Sequence, residues 1–303
     1  MWVAVDSASL RLLEQVQKTA RRAETLLIRG ESGSGKNLLA QMVHQLAPNC
    51  AQPFLRLPCA QLPPALIETE LFGSEPAATG AGMTLRPGLL QLAGAGTVLL
   101  DEVAALSMPL QAKLLSALEQ RRFAHAGSVW ELPLEARIIA LTAVDLERAV
   151  ARRTFREDLY YRLQVDSFAL APLRERPRDI RPLAEHFLAQ FTDLHRKPHM
   201  MFSDRVLAAL EGYHFPGNAR ELRDFVERAV LRGSAPEILL HDLPAPLSGS
   251  VPPALHTMSL EEMERKQIGE VLNFTRGRKT RAANILGISR KTLLEKRKRY
   301  GLG

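Results

Sequence analysis

Apolar positions along this chain fall into two patterns: short continuous runs, and longer stretches at helical spacing. Between residues 7 and 22, Leu10, Leu12, Leu13, Val16 and Ala20 recur with a helical period, so an amphipathic helix is expected there. Thr25-Leu26-Leu27-Ile28, Pro53-Phe54-Leu55-Arg56-Leu57, Thr97-Val98-Leu99-Leu100 and Arg137-Ile138-Ile139-Ala140-Leu141-Thr142 are short apolar runs that read as buried strands. Strands of this kind alternating with helical stretches such as 66–72 predict an α/β fold with a parallel sheet, its site at the carboxyl ends of the strands. From Leu173 onward the helical period takes over, at 180–192, 203–210 and 219–231, and a wholly helical lid is expected. Segment 73–82 is rich in small residues and reads as a loop. Between 233 and 258, Pro236, Pro244, Pro246, Pro252 and Pro253 mark a partly extended linker. Helical stretches at 259–274, 279–286 and 289–300 follow. The expected division is 1–171 for the sheet domain, 172–240 for the lid, 241–256 for the linker and 257–303 for a small all-α domain.

Chemistry attaches to the ends of these strands. Gly30-Glu31-Ser32-Gly33-Ser34-Gly35-Lys36-Asn37 lies between an apolar strand and the helical Leu38-Leu39-Ala40-Gln41-Met42-Val43. Backbone N–H groups of such a loop, with the positive end of the following helix, form an anion cradle, and a lysine there reaches the β/γ-phosphates. The usual hydroxyl residue after the lysine, which holds magnesium, is replaced by Asn37. A third strand ends in Asp101-Glu102. In nucleotide hydrolases of this type the first acid holds hydrated magnesium and the second polarises the attacking water. The hydroxyl of Thr142, at the end of the next apolar strand, is expected near the same edge. Arg156 and Arg162, six apart around a helix, are either ordinary surface cations or groups that reach a neighbouring subunit's γ-phosphate.

Charge separates the tail from the rest. The last 47 residues hold 12 Lys/Arg against 5 Asp/Glu, while the 256 before them are balanced at 28 against 28. A confined excess of this kind points to a polyanion-binding module on a neutral body. Small residues Ala282-Ala283, the turn at Gly287, and Ile288 and Leu293 suit two short helices crossing closely. With the cations around the second of them, this reads as a helix-turn-helix for a DNA major groove. Its expected DNA contacts are Arg281, Ser289, Arg290, Lys291, Thr292, Lys296, Arg297, Lys298 and Arg299. No apolar run approaches the about 20 residues that span a bilayer, so no membrane attachment and a cytoplasmic location are expected. Cys50 and Cys59 are expected as free, buried thiols.

Taken together, the chain resembles the bacterial enhancer-binding activators of sigma-54 RNA polymerase, a branch of the AAA+ ATPases. The resemblance spans nearly the whole chain and rests on GESGSGKN at 30–37, ELFGSEPAATGA at 70–81, GTVLLDEV at 96–103, FREDLYYRL at 155–163, PLRERPRDI at 172–180, FPGNARELR at 215–223 and a Fis-like tail. It implies an ATP- and magnesium-dependent ring, usually a hexamer, that remodels the closed promoter complex while its tail holds upstream DNA. Lys36 would bind phosphate, Asp101 magnesium and Glu102 the water; Arg156 and Arg162 would act in trans, and Arg220 would sense the nucleotide from the lid. Glutamate commonly replaces the hydroxyl residue after the lysine in this family.

Three departures from the family pattern stand out. The sigma-54 loop, normally Gly-Ala-Phe-Thr-Gly-Ala, is here Pro76, Ala77, Ala78, Thr79, Gly80 and Ala81. It lacks the aromatic tip, which would bury about 150–250 Å² at a contact. The asparagine that restrains the catalytic glutamate is Pro58, and the sensor asparagine after Thr142 is Ala143, which removes a hydrogen bond near the γ-phosphate. The second reading these departures support is a DNA-binding regulator with weak or lost ATPase and no sigma-54 contact, acting as a repressor, with the housekeeping polymerase or as a partner subunit. Because the ATPase motifs begin close to Met1, no receiver or ligand-sensing domain is expected ahead of them. Control is then expected from expression level, a separate protein, or a related activator in a mixed ring.

Overall fold

A computed structural model describes residues 2–22, 25–75, 86–197, 200–233, 236–244, 247, 264–265, 267–269, 271–272, 275 and 278–300. The chain divides into two compact units, Met1–Leu247 and Ser248–Gly303.

In the first unit α1 (Ser7–Thr19) leads to β1 (Leu26–Arg29), α2 (Lys36–Gln45), β2 (Phe54–Pro58) and α3 (Pro64–Phe72). The short antiparallel pair β3 (Gly73–Ser74) and β4 (Arg86–Pro87) follows, then α4 (Leu89–Leu92), β5 (Thr97–Asp101) and α5 (Met108–Gln120). A hairpin, β6 (Arg122–Ala124) with β7 (Glu131–Pro133), precedes β8 (Arg137–Thr142), α6 (Leu146–Ala151), α7 (Glu157–Leu163) and β9 (Asp166–Ala169). Five strands form a parallel sheet in the order β2-β5-β8-β1-β9.

The continuous apolar runs arise because the sheet is covered on both faces. Leu27, Val98, Leu100, Ile138 and Ala140 point into one core, while Leu26, Ile28, Leu99, Ile139 and Leu141 point into the other. Each of the leucine, isoleucine and valine side chains among them contributes about 1.5–3 kcal/mol relative to exposure. The buried Arg137 donates from Nη1 to Ala20 O at 2.7 Å, closing the C-terminal end of α1, where a cation is favoured. Register places Arg29 beside Thr142 and Pro58 beside Asp101. The carboxyl ends of four strands, with Gly30, Glu102 and Ala143 just beyond them, therefore share one edge.

The lid contains α8 (Ile180–Leu194), α9 (Asp204–Glu211) and α10 (Asn218–Arg232) around a core that includes Phe191, Phe215, Leu222 and Val226. It is not wholly helical. Two 3-10 turns, Leu173–Glu175 and Pro177–Asp179, open it, because Pro177 pushes Arg176 out of the helical region, to φ −133 and ψ 61. A short parallel pair, β10 (Met201–Phe202) with β11 (Glu237–Ile238), also crosses it. Leu243 and Leu247 are buried in the same core, so packing continues past the expected start of the linker at 241. The expected loop at 73–82 likewise begins with two residues of strand. Cys59 is buried and its thiol is pushed up to about 12, chiefly by desolvation, whereas Cys50 is exposed, in the turns that follow α2. Both are free.

In the second unit α11 (Lys279–Ile285) and α12 (Arg290–Arg299) are joined by a turn in which Gly287 has φ 65. Ala282, Ala283 and Leu293 meet Ile268, Val271 and Leu272 in a small core. Among the described residues no helix is long and apolar enough to cross a membrane.

Candidate functional site

Six residues separate β1 from α2, and the chain turns there through Gly30, Gly33 and Gly35, at φ 157, 76 and 110. Gly33 is required twice over. Its φ is left-handed, and a Cβ would sit 2.1 Å from Gly217 O. Lys36 opens α2 and is 7% exposed. Its Nζ donates to Gly30 O at 2.7 Å and Glu31 O at 3.1 Å, so the ammonium arches back over its own loop. No side chain caps α2, which leaves its first N–H groups available to an anion. Ser34 Oγ and Asn37 Oδ1 are buried and have no hydrogen-bond partner among the described residues.

The two acids lie opposite this loop. Asp101 Oδ2 accepts from Asn37 Nδ2 at 3.4 Å and from Arg56 Nε at 3.1 Å, and Arg56 Nη2 also pairs with it. Glu102 has a left-handed backbone, φ 61, a strained conformation for a side chain of this kind. Its Oε1 is 3.4 Å from Lys36 Nζ, and its Oε2 accepts the Ala143 N–H at 2.8 Å. Pro58 has no polar side chain to hold this glutamate, and the main chain at 143 supplies the amide instead. Thr142 is fully buried, and its hydroxyl exchanges two 3.0 Å bonds with Val144. That hydroxyl is engaged in a local turn and does not line the cleft.

The cleft itself, about 500 Å³, lies between Gly33, Lys36, Asn37, Asp101 and Glu102 on the sheet side and Arg220 and Arg223 on the lid side. Arg56 and Gln61 also line it. Arg220 donates to Ser32 Oγ at 3.2 Å.

A clasp fastens lid to loop. Glu31 accepts both Nη groups of Arg174, at 2.8 and 2.6 Å, and Nδ2 of Asn218 at 3.1 Å. These partners, Arg174 first, hold its carboxyl at about 2. Asn218 is 0% exposed and left-handed, φ 56; it also donates to Ser32 O at 3.0 Å and accepts the Leu173 N–H at 2.7 Å. Arg176, whose burial lowers its pKa, donates to Ser34 O at 2.6 Å. Asp179, 3.9 Å from Arg176, accepts the N–H groups of Val5 and Asp6 at 2.7 Å each and the Ser9 hydroxyl. Arg56, Asn218, Arg174 and Arg176 are not among the site residues expected from the sequence. The last three sit in the 172–180 and 215–223 motifs, which are the signal that could have found them.

Arg156 precedes α7, pairs with Asp158 at 3.0 and 2.7 Å, and is half-buried. Arg162 is half-buried, donating to Leu118 O at 3.1 Å, with its Nε unpartnered among the described residues. Neither lines the cleft of its own chain. Pro76, Ala77, Ala78, Thr79, Gly80 and Ala81 lie outside the described residues.

In the tail Ser289 caps α12 by accepting the Thr292 N–H at 3.0 Å, and Ser289 and Thr292 hydroxyls lie 2.8 Å apart. Arg281, Arg290, Lys291, Lys298 and Arg299 are exposed, and Arg297 is half-buried. Lys296 differs from the expectation of a DNA contact, because it pairs with Glu264, which also accepts from Tyr300 at 2.6 Å. Lys296 thus ties α12 to the helical residues before it.

Three family models match the chain in order: a sigma-54 interaction domain over residues 3–169, an AAA+ ATPase lid domain over 174–258, and a bacterial regulatory protein of the Fis family over 259–300. The chain is 40% identical to the regulatory protein AtoC of Escherichia coli, over 97% of this chain and 66% of that protein. It is 39% identical to the nitrogen fixation protein AnfA of Azotobacter vinelandii, over 95% and 55%. It therefore spans about two thirds or less of these relatives' own lengths. Among solved structures, NtrX from Brucella abortus in complex with ATP superposes with a TM-score of 0.79 at 29% identity, covering 100% of this chain and 70% of that one. The Hsp104 of S. cerevisiae shares the fold, at 17% identity and a TM-score of 0.54 over 73% of this chain and 43% of that one. With its loop, paired acids, lid and helix-turn-helix in this order, the chain belongs to the sigma-54 activator family of AAA+ regulators.

Proposed function

We propose that the chain is an ATP-driven transcription regulator that holds upstream DNA with its tail and, in a ring of like subunits or a mixed ring with a related activator, remodels the sigma-54 RNA polymerase closed complex. One observation carries this reading: Lys36, Asp101 and Glu102 converge on a single cleft that Arg220 closes from the lid. The NtrX relative solved with ATP supports the same ligand here. Retention of an amide partner for Glu102 at Ala143 supports working hydrolysis despite Pro58.

In this account Lys36 and the loop N–H groups of 30–37 hold the phosphates, and Glu102 takes the proton of the attacking water. Magnesium suits Asp101, whose carboxylate is flanked by the buried, unpartnered Asn37 Oδ1. When bound there, it would supply positive charge against that of the phosphates. Arg156 and Arg162, outside their own cleft, serve a neighbour's γ-phosphate. Thr79 and its flanking residues 76–81 belong to the sigma-54 contact, and the working location is the cytoplasm. Domain limits of 1–171, 172–240, 241–256 and 257–303 remain the functional division, with packing of the lid extended to 247.

Permanganate reactivity of a sigma-54 promoter, with purified holoenzyme and this protein, tests the reading. Thymines at the start site should become reactive with ATP and stay protected with a non-hydrolysable analogue. Protection under both conditions would contradict remodelling.

A further inference from the structure

Val129 and Trp130, 89% and 75% exposed, are the two most exposed large apolar side chains among the described residues. They sit in the turn between β6 and β7. Scattered apolar side chains at a surface are ordinary, but an adjacent valine and tryptophan on a fixed projection are not scattered.

The projection is fixed from below. Phe123 of β6 is buried against Phe72, with ring centroids 6.3 Å apart, and His125 Nδ1 lies 2.7 Å from Phe72 O. Ala126 N–H donates to Gly73 O at 2.9 Å, and Glu75 N–H donates to Ala126 O at 3.3 Å. Ser128 Oγ donates to Glu75 Oε1 at 2.6 Å and accepts the Trp130 N–H at 3.1 Å. The tip is thereby tied to residues 73–75, immediately before segment 76–81. That segment carries no aromatic residue.

We propose that Trp130, supported by Val129, is the aromatic anchor through which this chain grips sigma-54. This rests on the reading of the chain as a sigma-54 regulator and names the surface that makes the contact. Three observations favour sigma-54 as the occupant. The hairpin lies inside the matched sigma-54 interaction domain, it is hydrogen-bonded to residues 73–75 that lead into 76–81, and it carries an exposed aromatic where the sequence of 76–81 has none. A tryptophan has the area and rigidity of an interface hot spot, and it is held there at little entropic expense because the hairpin is already ordered.

The test uses the full chain with ADP and aluminium fluoride, titrated into fluorescently labelled sigma-54. Trp130→Ala should weaken binding about tenfold or more, and Trp130→Phe should recover all but about threefold of it. The tryptophan emission difference between wild type and Trp130→Phe isolates Trp130, and it should lose acrylamide quenching when sigma-54 is added. Undiminished affinity of Trp130→Ala, or unchanged quenching in the complex, would overturn the assignment while leaving the sigma-54 reading intact. Failure of the wild type itself to bind sigma-54 would remove both.

Discussion

Asn218 is the residue whose loss should most clearly expose how the lid is coupled to the glycine-rich loop. Replacing it by alanine strands the Leu173 N–H, which costs about 1–3 kcal/mol for a buried donor. It also removes the two Nδ2 bonds, one of them to the half-exposed Glu31 carboxylate, and leaves alanine in a left-handed backbone that costs about 1 kcal/mol. Allowing for water at the exposed partner, the sum is about 3 kcal/mol. With an m-value of about 3 kcal/mol per molar, the urea midpoint should fall by about 1 M. Two companion substitutions separate the terms. Asn218→Gly should be milder than alanine by about 1 kcal/mol, since glycine accepts this φ. Asn218→Asp keeps the acceptor for Leu173 but turns an oxygen toward Glu31 and Ser32 O, so it should be no better than alanine despite its shape. Urea denaturation followed by circular dichroism, with binding of a fluorescent ATP analogue as a second readout, checks the order. An aspartate variant as stable as wild type, or an alanine variant within about 0.5 kcal/mol of it, would refute the clasp.

Three further outcomes rest on the same contacts. The carboxyl of Glu31 is held at about 2 against an ordinary 4.5, so its contribution is full above pH 4.5 and is lost as pH falls toward 2. After discounting for partial exposure it is about 1 kcal/mol. The thermal-stability gap between wild type and Glu31→Gln should therefore shrink from pH 5 to pH 3, and a gap independent of pH would contradict it. In the tail, Arg290→Ala with Lys291→Ala should weaken binding to any duplex and reduce the salt slope by about 2. Lys296→Ala should instead destabilise the tail through loss of Glu264, and fluorescence anisotropy against potassium chloride distinguishes the two.

The sheet was legible because strands covered on both faces must be apolar at nearly every position, as in β8, which is buried throughout. The β6–β7 hairpin escaped because its three-residue strands carry only Phe123 as a fully buried anchor. The two-residue pair β10–β11 is too short to show any period. Within the cleft, Lys36, Asp101 and Glu102 could be proposed from local spacing, since phosphate loops and strand-end acids are short motifs. The clasp could not, because Asn218 meets Glu31 across 187 residues and Arg176 meets Ser34 across 142. Thr142 shows the limit from the other side: the end of its strand was readable, but the direction of its hydroxyl is set by the turn at Val144. Lys296 likewise looked like one of a row of cations, and only the fold brings Glu264 to it.

ATP hydrolysis per subunit, measured against protein concentration for wild type and Glu102→Gln, tests the central claim most directly. The account predicts a rate that rises with concentration as neighbouring subunits supply Arg156 and Arg162, and that disappears in the mutant while nucleotide binding persists. A rate independent of concentration, or one undiminished in Glu102→Gln, would contradict it.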